Sequence, residues 1–149
     1  MPAKYKLVLR KDMRKDAAEG SKLYYASANT TGTCDVYELC DLISAQSTAS
    51  SGDVKLILDE LVNVMRRNLG KGEVVKVGEL GSFQLQFGST GTVTEKEFNQ
   101  VLIKSRRIVF RPGKLLKEAV KNYTFEKIAS GAPDEGGGLP RPPKVLGLQ

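Results

Sequence analysis

Positively charged side chains are concentrated in one short part of this sequence. Residues 101–121 contain seven Lys or Arg and a single Glu, whereas residues 34–100 contain six Lys or Arg and ten Asp or Glu. Such a concentration favours a polyanion partner, because contacts of Lys and Arg to phosphate give affinity without sequence readout. On a strand through these residues, alternation predicts Lys104 and Arg106 on one face and Arg107 on the other.

Other kinds of chemistry find little support in the sequence. The chain has no histidine, which excludes His-based triads, His–metal sites and His pH switches. The carboxylates show no paired spacing, and the segment from Gly72 to Gly81 lacks the Lys-Ser ending of a nucleotide-binding loop. Cys34 and Cys40 are predicted to be reduced thiols. We therefore expect a non-enzymatic protein with no cofactor, no metal and no small-molecule substrate.

Two strands around a glycine-rich corner must position the basic residues. Apolar residues alternate with polar ones before and after the corner Leu80-Gly81-Ser82, at Val75, Val77, Phe83, Leu85 and Phe87. Period-two alternation is typical of strands with one buried face. A polar excursion follows, and the chain returns through Ile108-Val109-Phe110, so the sequence predicts a three-stranded antiparallel sheet.

Three helices are predicted beside these strands. Asp35 is the expected N-cap of the first, and Ser50 with Asp53 fits a capping box at the start of the second. The second helix is expected to end with Gly70 at the C′ position. Pro112 is expected in the first turn of a short last helix.

The second predicted helix is apolar on more than one side. Its main stripe is Val54, Ile57, Leu58, Leu61, Val62, Met65 and Leu69, and Leu56 and Val64 add a second. Such a helix requires burial on more than one side, which a partner subunit would provide in so small a chain. The alternative is a central helix of a monomer.

Two separated motifs resemble the HU and integration-host-factor family of bacterial DNA-bending proteins. They are Gly72-Glu73 with Leu80-Gly81-Ser82-Phe83, and Phe110-Arg111-Pro112-Gly113-Lys114-Leu115-Leu116-Lys117. The resemblance covers residues 35–120 and implies an α+β fold. It implies an intertwined dimer in which a helical hairpin base supports a three-stranded sheet, and a protruding β-arm of that sheet embraces DNA. Arg111 and Lys114 match the family's basic positions, and Lys117 follows one turn later.

The tip of the predicted arm departs from that family. The family carries Arg-Asn-Pro there, and its proline wedges between base pairs. Residues 88–100 contain no Pro and no Arg, and one Lys faces two Glu. Val93 or Phe98 is the candidate replacement for the wedge. Glu79 stands where the family has Gly at the corner between strands, and its carboxylate would weaken phosphate binding there.

Three segments are predicted along the chain. Residues 1–33 form an N-terminal β extension with strands at 5–10 and 23–28, residues 34–128 form the HU-like domain, and residues 129–149 form a flexible tail rich in Gly and Pro. No apolar run is long enough to span a membrane, and the first residues lack a signal-peptide pattern. We expect the protein in the cytoplasm, on the nucleoid.

The sequence therefore favours architectural binding of double-stranded DNA by a homodimer, with low sequence specificity. The residues assigned to DNA binding are Lys104, Arg106, Arg107, Arg111, Lys114 and Lys117. The alternative is a dimeric scaffold that kept the fold and binds DNA weakly or not at all, and the acidic tip without proline supports it. A continuous positive cleft would favour DNA, and an apolar patch would favour a protein partner.

Overall fold

The computed structural model describes residues 1–129, so the predicted flexible tail lies outside the described residues from position 130 onward. The described chain divides into two compact units. The first, N-terminal unit contains residues 1–33 with 122–129, and the second contains residues 34–121. The helices and strands, in chain order, are β1 (Ala3–Lys11), β2 (Lys22–Ala28), α1 (Val36–Ala45), α2 (Ser51–Gly70), β3 (Val75–Val77), β4 (Gly81–Ser89), β5 (Ile103–Pro112), α3 (Lys114–Lys121) and β6 (Phe125–Lys127).

The first unit is a three-stranded sheet in the order β2-β1-β6. β1 and β2 are antiparallel, with Leu7 opposite Ala26, which confirms the two predicted N-terminal strands. β6 pairs with β1 in parallel, with Ala3 opposite Phe125. The sequence predicts residues 122–128 as part of the HU-like domain of residues 34–128, but they lie in the N-terminal unit. Pairing with β1 decides their place, and the sequence pattern of such a short strand does not reveal its partner.

A buried carboxylate holds the connection between β1 and β2. The side chain of Asp12 is 2% exposed. It accepts hydrogen bonds from the backbone N–H of Arg14 at 3.0 Å and from the guanidinium Nη2 of Arg14 at 2.6 Å. These bonds hold the pKa of Asp12 below its ordinary value of 3.8. Because this pair neutralises itself, Arg14 adds little free positive charge to the unit.

Side-chain caps start the first two helices, as predicted. The carboxylate of Asp35 accepts from the backbone N–H of Glu38 at 2.9 Å. Ser50 Oγ accepts from the N–H of Asp53 at 3.1 Å, and the carboxylate of Asp53 accepts from the N–H of Ser50 at 3.0 Å. The hydroxyl of Ser50 also donates to that carboxylate, and these bonds lower the pKa of Asp53. Both helix starts are thus encoded locally.

The end of α2 differs from the prediction. Gly70 is the last helical residue, and Gly72 occupies the C′ position with φ +83°. The N–H of Gly72 bonds to the carbonyl of Leu69 and that of Glu73 to the carbonyl of Asn68, which completes a Schellman motif. Of two nearby glycines, the one at the left-handed position ends the helix.

No helix among residues 1–129 combines the length and apolarity needed to cross a membrane.

The second unit contains an antiparallel sheet in the order β3-β4-β5, as predicted. Phe83 lies opposite Val75 on one side and Phe110 on the other, and the two phenylalanine rings are 4.9 Å apart between centroids. α1 and α2 pack together, and α2 contacts β3 and β4. Among the described residues, the buried apolar side chains are Cys40, Val54 and Leu69.

The two sequence motifs meet where the corner before β4 contacts the start of α3. The N–H of Gly113 donates to the carbonyl of Leu80 at 3.0 Å. A Cβ on Gly113 would overlap the backbone of Glu79, and one on Gly81 would overlap the carbonyl of Arg111, so only glycine fits at either position. Pro112 was expected inside the helix, but it is the last residue of β5 and faces Gly81, and α3 begins at Lys114.

Candidate nucleic-acid interface

The sheet of the second unit has one apolar and one polar face. Paired residues of antiparallel strands point to the same side, so Phe83, Leu85 and Phe87 share the apolar face with Phe110 and Ile108. Ser82, Gln84 and Gln86 alternate with them and share the other face with Arg111, Val109 and Arg107. Lys76 of β3 pairs with Ser82, which adds a third cation to this second face.

A β-bulge in β5 changes the predicted facing of the basic residues. Gln86 pairs with Arg107, but Gly88 pairs with Lys104, so β5 has one more residue than β4 over this interval. Two residues of β5, Ser105 and Arg106, therefore lie opposite the single residue Phe87 of β4.

The prediction that Lys104 and Arg106 share a face is consequently wrong. Lys104 lies on the face of Gly88, Gln86 and Arg107, whereas Arg106 alternates with Arg107 and lies on the apolar side. Strict alternation failed as a guide because the extra residue reverses it once.

We call the polar side of this sheet the basic face. Its members are Lys76, Ser82, Gln84, Gln86, Gly88, Lys104, Arg107, Val109 and Arg111. No Asp or Glu belongs to it, and its four cations are exposed. Arg107 Nη2 donates to Gln86 Oε1 at 3.3 Å, which places the two side chains together across the strands. Four exposed cations without a carboxylate among them form a surface suited to a phosphate backbone.

The other predicted residues lie on α3. Lys114 and Lys117 are exposed and share one side of this helix with Lys121. Glu118 lies on the same side, and its carboxylate is 4.0 Å from the ammonium group of Lys114. This exposed pair is weak and leaves Lys114 free to contact another anion. The six predicted residues therefore fall on three surfaces: the basic face, the opposite side of β5, and α3.

Sequence reasoning missed one member of the basic face. Lys76 lies between Val75 and Val77, which are both half-buried, while Lys76 itself is exposed. The alternation of this short strand already pointed Lys76 away from the core, and this signal could have identified it. Arg66 and Arg67 also line an open surface depression on α2 with Asn63, but they lie on another element.

The loop between β4 and β5 contains residues 90–102 and two short 3-10 turns. Its apolar side chains are accessible, since Val93 is 96% exposed and Val101 is 74% exposed, whereas Phe98 is 42% exposed. Glu95 and Glu97 flank Lys96 in the first turn. Of the two wedge candidates, Val93 therefore has the side chain that a ligand could contact over most of its surface.

The two cysteines are free thiols in different environments. Cys34 is exposed just before α1, and Cys40 is buried within α1. Desolvation, followed by the nearby carboxylates of Glu38 and Asp35, raises the pKa of Cys34, which disfavours a reactive thiolate. Within residues 1–129, no cluster of Cys, Asp and Glu has the arrangement of a metal site.

Comparison with known proteins identifies the family. A sequence model of the HU-HIG family, described as "HU domain fused to wHTH, Ig, or Glycine-rich motif", matches residues 1–127. DNA-binding protein HU of Thermotoga maritima is 36% identical over 86 residues, which are 56% of this chain and 96% of that protein. Integration host factor subunit alpha of Vibrio cholerae is 33% identical over 92 residues, which are 60% of this chain and 94% of that protein.

A solved structure agrees at the level of the fold. The crystal structure of a Bacteroides vulgatus protein superposes with a TM-score of 0.58 at 21% identity, over 85% of this chain and 48% of that one. This chain thus spans about half the length of that protein. With a family match over residues 1–127 and two motifs in contact at the corner before α3, the chain belongs to the HU-HIG family and, through its HU domain, to the HU and integration host factor proteins.

Proposed function

We propose that this protein is a non-catalytic, architectural DNA-binding protein with low sequence specificity. The observation that carries this proposal is the basic face, on which Lys76, Lys104, Arg107 and Arg111 are exposed without a carboxylate among them. The named relatives include a DNA-binding protein HU, which supports the same ligand. Lys114 and Lys117 of α3 extend the proposed contact, and Arg106 is its least favoured member because it lies on the apolar side.

The geometry favours contact with the DNA backbone over base readout. Residues four apart on a strand are separated by about 13 Å, so Arg107 and Arg111 can each meet a different phosphate. Gln84 and Gln86, on the central strand β4, add neutral hydrogen-bonding groups to the same face. Lys and Arg contacts to phosphate fix the position of the duplex and carry no sequence information directly. Binding should therefore be strong at low salt and similar for unrelated duplexes.

Both long helices of the second unit expose large apolar side chains. Leu56, Ile57 and Val62 of α2 are 61%, 62% and 56% exposed, and Leu42 of α1 is 52% exposed. Exposed large apolar side chains on two neighbouring helices favour an interface with another molecule. We propose that a second copy of the chain covers these side chains in an intertwined homodimer, with the β4–β5 hairpin extending as an arm along DNA.

No cofactor or small-molecule substrate enters this proposal, and we expect the protein on the bacterial nucleoid. Val93 at the tip is proposed to contact the minor groove, where apolar side chains can partly unstack a base step. Because Val93 is smaller than the usual wedges and its neighbours include Glu95 and Glu97, bending should be modest.

The test is the salt dependence of binding to a short duplex. Replacing Lys104, Arg107 and Arg111 by Ala removes three cations per subunit, and six phosphate contacts would account for a slope change of at most about 5 in the log–log plot. A matched control replaces Lys4, Lys6 and Arg10, three exposed cations on one face of β1. We expect the first variant to flatten the slope and the control to leave it nearly unchanged. Equal changes would show that net charge alone governs binding.

The alternative is a dimeric scaffold with weak or no DNA binding. Phe87 and Ile108 on the apolar side of the hairpin are 57% and 60% exposed, which is the observation in its favour. A wild-type protein with no measurable affinity for duplex or distorted DNA at low salt would select the scaffold. In that case, substitution of Phe87 or Ile108 should disrupt assembly with a protein partner.

A further inference from the structure

The strained residue in this structure lies in the candidate interface. Ser105 has φ +53° and is the one non-glycine residue among positions 1–129 with positive φ. Bulges with a residue in this left-handed conformation usually place glycine there, because a Cβ disfavours it. Here a serine holds the conformation at the point where the pairing of β5 shifts. Such strain persists only when the surrounding structure requires it, and it often marks a functional position.

The facing of Lys104 depends on this bulge. If β5 continued without it from the pair of Gln86 and Arg107, Gly88 would pair with Ser105, and Lys104 would pair with Ser89. Lys104 would then point to the side of Phe87, away from the other cations. With the bulge, Lys104 pairs with Gly88 and points to the side of Arg107.

We propose that Ser105 is a positioning residue for DNA binding, because its left-handed conformation holds the bulge that turns Lys104 onto the basic face. This inference rests on the proposed function. Ser105 itself need not touch the duplex. Its contribution is to place Lys104 on the same side as Arg107 and Arg111, so that one backbone can contact all three.

Three changes at Ser105, together with Lys104→Ala, separate the effect of where Lys104 points from the effect of the bulge itself. Ser105→Val disfavours the left-handed conformation by β-branching, and should restore regular pairing and turn Lys104 to the apolar side. Ser105→Gly favours the left-handed conformation and should keep the native pairing. Deletion of Ser105 removes the extra residue, so the ladder becomes regular while Lys104 still pairs with Gly88. Lys104→Ala supplies the effect of losing that cation alone.

The first measurement is made on the full-length protein without DNA. Cross-strand NMR contacts should join Gly88 to Lys104 in the wild type, in Ser105→Gly and in the deletion variant. They should join Gly88 to position 105 in Ser105→Val. A Ser105→Val variant that keeps the contact between Gly88 and Lys104 would overturn the role of Ser105 in holding the bulge.

The second measurement is the salt slope of duplex binding for the same variants. Ser105→Val and Lys104→Ala should each flatten it by up to about 2 per dimer, and combining them should change nothing further. Ser105→Gly and the deletion should bind like the wild type. A deletion variant as impaired as Lys104→Ala would show that the bulge acts through its shape and not through Lys104. If the wild type does not bind DNA, the proposed function is wrong, and so is the role of Ser105 in binding. The NMR contacts would still show whether Ser105 decides on which face of the sheet Lys104 lies.

Discussion

The two sheets of this protein are both rich in Lys and Arg and differ in how these residues are arranged. Residues 1–33 contain seven Lys or Arg, as many as residues 101–121. In the N-terminal sheet these cations are divided: Lys4, Lys6 and Arg10 lie on one face of β1, while Lys11 pairs with Lys22 on the other. Arg14 is held by Asp12, and Glu126 lies beside Lys4. In the second sheet, register gathers Lys104, Arg107, Arg111 and Lys76 on one carboxylate-free face.

This difference shows that the number of cations in a segment does not decide whether they share one face. A single inserted residue in β5 reverses the alternation once and moves Lys104 to join the other cations. The N-terminal sheet has a regular β1–β2 ladder, and its cations stay on two faces. The following predictions test this contrast, beginning with the largest expected effect.

We expect the largest effect from a charged substitution in the surface of α2 that a second copy of the chain is proposed to cover. Ile57 is 62% exposed in one chain, so Ile57→Asp would be nearly neutral in a monomer. In the proposed dimer the charge would be buried without a partner, and we expect a loss of more than about 3 kcal/mol per subunit. Chemical unfolding and sedimentation measure this. Val93→Asp, at a loop residue that is 96% exposed, is the control. A folded, compact Ile57→Asp protein with the same mass as the wild type would contradict the proposed interface.

The next largest effect is expected from glycine substitutions, whose cost in stability should differ between the two units. Ala at position 81 would overlap the carbonyl of Arg111 and a ring carbon of Phe110 at φ +139°, and we expect a loss of at least about 3 kcal/mol. Gly20 in the connection between β1 and β2 has φ +81° with nothing within 4 Å of its added Cβ. Gly20→Ala should therefore cost only about 1–2 kcal/mol through backbone strain. Thermal unfolding measures both, and similar losses would show that the close approach at the corner is not what requires glycine.

Acid should weaken the N-terminal unit through Asp12. The pKa of this carboxyl is lowered mainly by the guanidinium of Arg14, so folding favours the ionised form. The resulting stability is complete above the ordinary pKa of 3.8 and is lost as the pH falls through the lowered value. Asp12→Asn should remove this pH dependence, and Asp16→Asn, at an exposed carboxylate of the same connection, should retain it. Amide hydrogen exchange in β1 and β2, followed from about pH 2 to about pH 6, measures this pH dependence. Unaltered acid sensitivity in Asp12→Asn would assign the effect to another group.

The smallest effect is expected at the tip of the hairpin. Val93→Ala should reduce the bend of a bound duplex while changing affinity by less than about threefold, or about 0.6 kcal/mol. Fluorescence energy transfer between the duplex ends measures the bend. Val101→Ala, at another exposed apolar residue of the same loop, is the control. A loss of affinity as large as that caused by replacing the basic face would show that the tip, and not the sheet, holds the DNA.

Local sequence signals predicted most of the fold. Asp35 and the Ser50–Asp53 pair fix two helix starts by bonds within one turn, and alternation around Gly81 fixes two strands. The order of the strands in the second sheet also followed from sequence, because its turn and returning strand lie close along the chain. Five of the six predicted site residues lie on the elements predicted for them, Lys104, Arg106 and Arg107 on β5 and Lys114 and Lys117 on α3, whereas Arg111 lies at the end of β5 and not at the start of the helix.

The remaining features depend on contacts between segments far apart in sequence. The pairing of β6 with β1 joins residues more than a hundred positions apart, and nothing in the three residues of β6 specifies that partner. The partner strand likewise decides the facing of Lys104, because a bulge is a mismatch between two strands and neither strand shows it alone. The sequence by itself therefore determined the concentration of charge and most of the helices and strands, which follow from local backbone preferences. Only the tertiary structure decided which cations share a face, because register is set by pairing.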